Sequence, residues 1–257
     1  MSHVEDAARA LARLAQDIDS VAGLLAAGAL PILVARCAAA LARSSTSSSL
    51  SSGEGKANGE EECEAGEQRI GVACAVALCN LSTATDRAPF APHIGDLVAL
   101  LAAAPRGGAT APLGRMVANL AASSIESKTL LGEGRALEAV HGALAELCAS
   151  SGNEEAKEAG GAEGREGGGR AAVEELLGAL ATLVRRHGAN AGRLVELGAL
   201  PLLLRLLRGD DVDGCAIVLA NLFEADDALL SPDVREELIA IVAHDAAAYR
   251  LSAVLAK

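Results

Sequence analysis

Apolar positions recur along this chain in a helical rhythm, and the rhythm itself repeats. The phrase ALARLA at 10–15 returns as VALCNLS at 76–82, MVANLAA at 116–122, LGALATLV at 177–184 and VLANLFE at 218–224. Its second leucine falls at Leu14, Leu81, Leu120, Leu183 and Leu222, which are 67, 39, 63 and 39 residues apart. Two Ser-, Gly- and Glu-rich stretches, 43–67 and 149–170, interrupt the two long intervals. Without them every interval is about 40 residues, the period of a helical solenoid whose units bury their apolar faces only against each other.

A second phrase marks the middle of each period. AAGALPILV at 26–34 matches ELGALPLLL at 196–204, and HIGDLVALL at 93–101 and GRALEAV at 134–140 are weaker copies. Glycine is suited to end one helix and proline to begin the next. Each unit is therefore predicted as a short helix, a glycine corner, a medium helix, a loop and a longer helix. The predicted organisation is a single array over 1–257: a partial repeat at 1–16, repeats at 17–82, 83–123, 124–186 and 187–226, and a partial repeat or cap at 227–257. The pattern opens inside a third helix, as a piece of a longer array would, and Leu11, Leu14 and Ile18 look too apolar to be left bare.

Composition supports helices throughout. The 57 alanines and 39 leucines are strong helix formers, whereas the chain holds two Phe, one Tyr and no Trp. The two inserts carry almost no apolar side chains and are expected to be flexible loops. Both lie between the second and third helices of their units, so they should leave the solenoid at the same rim. Ser44 to Ser52, after Arg43, forms a tract that phosphorylation could turn into a switch.

Charge narrows the partners. The net charge is −12 and the pI about 4.9, the wrong sign for a nucleic-acid backbone. Half of the excess lies in 208–257, with ten acidic and four basic residues. Glu224, Asp226 and Asp227 there make an acidic end suited to a basic peptide, while Asp213 is expected to cap a helix. Six cysteines at irregular spacing form no CxxC pair, which fits reduced, buried thiols. Cys63, inside a run of glutamates, is expected to be a poor nucleophile. The N-terminus lacks a signal-peptide pattern and no apolar stretch reaches membrane-spanning length, so a cytoplasmic, possibly nuclear, protein is expected.

The Gly-Ala-Leu-Pro helix start, paired with an Ala-x-x-Leu-x-Asn-Leu helix end at a period near 40, resembles the armadillo repeat family. The best-matching unit carries Asn190, Leu194–Pro201 and Val218–Leu222. The resemblance implies an all-α, right-handed α-solenoid, an armadillo-type superhelix of about four full repeats. It also implies that asparagines near the end of each third helix line a concave groove and hydrogen-bond an extended peptide. The matching positions are Asn80, Asn119 and Asn221, with Thr182 in the third unit. Such amides donate and accept at once, reading a peptide backbone without reading its sequence. Their other reading is local: they satisfy the ends of neighbouring helices. Nuclear-import adaptors of the family place Trp four residues earlier, where this chain has Val76, Arg115, Gly178 and Ile217. A chain without Trp cannot build those pockets.

The implied function is a non-catalytic protein–protein interaction scaffold. Its groove is expected to be lined by Asn80, Asn119, Asn221, Arg115, Val76, Ile217 and Thr182, and to bind another protein through an extended or basic peptide segment. Two further readings are a substrate-recognition arm of a ubiquitin ligase and a cytoskeletal or ciliary structural protein using the rims or convex face. No HExxH, Walker loop or GxSxG motif is present and the five histidines are dispersed, so no enzyme activity, cofactor, metal or small-molecule substrate is expected.

Overall fold

The fold is that of a computed structural model, which describes residues 3–49, 58–104, 108–151, 166–208, 212–225, 232, 236 and 238–240. Every regular element among them is helical. In chain order these are α1 (His3–Leu14), α2 (Ile18–Ala26), α3 (Ala29–Ser49), α4 (Asn58–Leu81), a 3-10 segment (Ala88–His93), α5 (Ile94–Ala103), α6 (Thr110–Ala121), α7 (Ile125–Glu133), α8 (Ala136–Ser151), α9 (Glu166–Val184), α10 (Gly188–Glu196), α11 (Ala199–Leu207) and α12 (Val212–Ala225).

The long helices stack in sequence. α1 packs on α4, α4 on α6, α6 on α9 and α9 on α12, forming one layer of third helices. Behind it α3 packs on α5 and α5 on α8. The protein is an α-solenoid with one continuous apolar core. Leu81, Leu120, Leu183 and Leu222, the repeating leucines, are 0%, 4%, 0% and 0% exposed. Each such side chain contributes about 1.5–3 kcal/mol of burial. Leu14 holds the same register but is 51% exposed. The later leucines each have a preceding third helix to pack against, and α1 has none among the described residues.

The glycine corner is a backbone device shared by three units. Gly28 and Gly198 both sit at φ +76°, in the left-handed region that glycine enters without strain. Each donates its N–H to the carbonyl three residues earlier, Leu25 and Val195. In the third unit Arg135 takes this place, with φ 65° and its N–H on Gly132 O. The glycine sits one residue early for a steric reason: a Cβ on Gly134 would lie 2.8 Å from Ile94 Cγ2. In the second unit the expected short helix is a 3-10 segment leading directly into α5. Pro89 and Pro92 remove two amide donors there, which suits a brief 3-10 run better than an α-helix.

The inserts are less loop-like than composition predicts. α3 continues through the serine tract to Ser49, and α4 begins at Asn58, within the glutamate-rich stretch. α8 likewise runs to Ser151, and α9 begins at Glu166. Adding a turn to an existing helix avoids the cost of nucleation, so it proceeds without help from burial. Asp213 also differs from expectation. It lies inside the first turn of α12, where a carboxylate complements the helix dipole, rather than at the cap.

Buried polar groups tie units together. Asn190, 5% exposed, donates to Lys128 O at 3.2 Å and Leu183 O at 3.0 Å, joining α7, α9 and α10. Lys128, itself buried, donates to Arg185 O at 2.6 Å, just beyond the C-terminal end of α9. Burial, and then the neighbouring Arg185 and Arg186, push its pKa down.

Candidate functional site

The third-helix layer presents two columns of residues in strict register. One lies a single residue before the repeating leucine: Arg13, Asn80, Asn119, Thr182 and Asn221. The other lies five residues before it: Arg9, Val76, Arg115, Gly178 and Ile217. Every one of these is exposed or half-buried, although the leucines beside them, Leu14 excepted, are enclosed.

The asparagines are held from behind. Asn80 donates an amide N–H to Ala12 O at 3.1 Å, and Asn221 donates to Ala181 O at 2.9 Å. Both carbonyls occupy the same register position, two residues before the leucine of the preceding third helix. Asn119 reaches the equivalent carbonyl through a relay. Its amide donates to Ser82 Oγ at 3.0 Å, and that hydroxyl donates to Cys79 O at 2.6 Å. Thr182 breaks the pattern by donating to Gly178 O of its own helix. Each amide thus satisfies a neighbouring helix end with one donor, while its carbonyl and second N–H remain unengaged among the described residues.

The outer column is electrostatically mixed. Arg115 pairs with Glu175 across α6 and α9, which raises the arginine's pKa and leaves its side chain 61% exposed. Val76 and Ile217 offer half-buried apolar surface, and Gly178 leaves an open gap, with nothing within 4 Å of where a Cβ would stand. The acidic end expected at Glu224, Asp226 and Asp227 is described only for Glu224, which is exposed.

At the N-terminal end the layer opens into a cleft of about 900 Å³. It is bounded by Arg9 and Arg13 of α1, by Glu67, Arg69 and Val76 of α4, and by Ser44 of α3. Beneath it Glu5, 2% exposed, is held by Arg9 at 2.5 Å and Arg69 at 3.1 Å. Glu67 is paired with Arg43 at 3.0 Å. The Arg13 side chain makes no ion pair or hydrogen bond among the described residues. Sequence reasoning missed Arg9, Arg13 and Arg69. The signal for the first two was present: they stand at the column positions of the first third helix, five residues and one residue before Leu14.

Nothing in the geometry concentrates reactive groups. No group of three potential metal ligands occurs among the described residues. Burial pushes the thiols of Cys37, Cys74 and Cys79 up to about 12, 11 and 11, keeping them protonated and unreactive at neutral pH. The side chains of Cys63 and of residues 45–52 lie outside what the structure describes; Ser44 itself donates to Leu41 O at 3.0 Å. No single described helix is long and apolar enough to cross a membrane. The pair α2 and α3, which reaches that length together, bends by 82° between them.

Comparison with known proteins agrees with this architecture. No family model matches the sequence, and no curated protein matches it. Among solved structures, an engineered protein of the Northeast Structural Genomics Consortium is similar at a TM-score of 0.65 and 20% identity, covering 98% of this chain and 91% of that one. A designed armadillo repeat protein is similar at 0.61 and 18%, covering 98% and 91%. A second designed armadillo repeat protein, solved in complex with the peptide (KR)4, is similar at 0.63 and 17%, covering 97% and 90%. At these identities the likeness is one of fold.

Proposed function

We propose that this armadillo-like solenoid is a non-catalytic protein-interaction scaffold that binds an extended peptide segment along the exposed face of its third helices. The carrying observation is the state of Asn80, Asn119 and Asn221. Each amide is oriented by one hydrogen bond to the preceding unit or its serine relay, and each keeps a carbonyl and an N–H for a ligand. An extended chain has unpaired backbone donors and acceptors on both edges, and pre-oriented amides bind them without first losing rotamer freedom. The similar designed protein solved with a peptide supports this use of the fold. Val76, Arg115, Thr182 and Ile217 flank the amides and would contact peptide side chains.

The test is selection from a randomised library of extended peptides, followed by binding to two altered proteins. Asn80→Ala/Asn119→Ala/Asn221→Ala removes the amides. Gly178→Trp fills the face at a position where a Cβ has nothing within 4 Å and where a non-glycine residue favours the helix. Selected peptides should lose at least tenfold in affinity to both, with the melting temperature of Gly178→Trp not lowered. Peptides indifferent to both changes, or no enrichment at all, would remove the reading. They would point instead to the rims or convex face, as in a cytoskeletal role.

A further inference from the structure

We infer that the N-terminal part of this face, the cleft between α1 and α4 and its continuation to Arg115, selects an acidic peptide segment. The inference rests on the groove reading above and adds the chemistry of the ligand. Its basis is the juxtaposition of Arg9, Arg13 and Arg69 around one opening of about 900 Å³.

The insert creates the opening. α4 is 24 residues long, whereas its neighbours α1 and α6 are each 12. With the repeating leucines aligned, the first turns of α4 project past both neighbours. The floor of the cleft begins at the base of that projection, with Arg69, and continues to Val76, level with Arg9. The end of α3, extended through the serine tract, supplies Ser44 at its edge.

The acids near the opening are already engaged. Glu5 is enclosed and shared by Arg9 and Arg69, and Glu67 is taken by Arg43. Arg9 and Arg69 remain 43% and 52% exposed, so most of their guanidinium donors stay available. Arg13 adds a positive charge with no partner among the described residues. One rung further, Arg115 is 61% exposed above Glu175. Counting these arginines with Arg43 against Glu5, Glu67 and Glu175, the strip is net positive in a protein of net charge −12.

Geometry limits the length of the ligand. Packed helices lie roughly 8–10 Å apart, and an extended chain advances roughly 3.3 Å per residue. About three residues therefore bridge each pair of rungs, and about six run from Arg9 to Arg115. Further along the layer the columns carry Gly178, Thr182, Ile217 and Asn221, with no cation. Selection for acid is thus confined to the N-terminal half.

Three labelled octapeptides test this on the full chain by fluorescence anisotropy: alternating Asp-Glu, alternating Lys-Arg and alternating Gly-Ser. The acidic peptide should bind at least tenfold tighter than the other two and weaken as salt screens the contact. Arg13→Glu should cost it at least tenfold, with the melting temperature unchanged because that side chain supports nothing else. Glu224→Lys, at the other end of the layer, should leave it within twofold. Tighter binding of the basic or neutral peptide, or an acidic peptide indifferent to Arg13→Glu, would overturn the inference and leave the groove reading standing. Failure of all three peptides to bind would overturn both.

Discussion

The first and fourth units follow the repeat pattern closely; the second and third depart from it, and yet all four stack alike. Gly28 and Gly198 make the corner in the regular units. In the third unit Arg135 accepts the same left-handed backbone and the same hydrogen bond, and in the second a 3-10 segment replaces the short helix. Behind these differences Leu81, Leu120, Leu183 and Leu222 are equally enclosed. The stacked core therefore dictates the backbone, and local sequence preference yields where the two disagree.

If that is so, truncating the core should hurt irregular and regular units equally. Leu120→Ala and Leu183→Ala should each lower stability by about 2–5 kcal/mol in chemical denaturation, as should Leu222→Ala. Leu14→Ala, at the exposed copy of the position, should change little. A much smaller loss at Leu120 than at Leu222 would mean that the second unit is not packed like the fourth.

The corners provide a sharper contrast at smaller scale. Arg135→Gly relieves a left-handed non-glycine residue and should stabilise the protein by about 1 kcal/mol, whereas Gly198→Ala should cost about the same. No atom lies within 4 Å of a Cβ at Gly198, so that cost is backbone strain alone. Opposite shifts in the urea midpoint at unchanged m-value would show this. The smallest effect concerns the amide column. Thr182→Asn would place an amide in register with Ala118 O of the preceding helix, and a gain of under about 1 kcal/mol is expected. Hydrogen exchange at the α6–α9 joint should slow with it; no change there would mean that Thr182 is not equivalent to the asparagines.

Much of this was legible in the chain. A leucine repeated every 40 residues marks a surface that must be buried, so the register of all five third helices followed from it. The amide column followed as well, since a fixed register fixes which neighbours share a face. Leu14 marks the limit of such reading, because a pattern shows what a side chain prefers to touch, not whether a partner is there. The ends of the inserts, which are helical, were misjudged for a related reason. Their composition shows that nothing buries them, but continuing a helix needs no burial.

The sequence by itself determined the solenoid, because period and apolar spacing are properties of one dimension. The cleft and its charge were decided only in three dimensions. Arg9 and Arg69 lie far apart along the chain and meet over Glu5 because α1 stacks on α4.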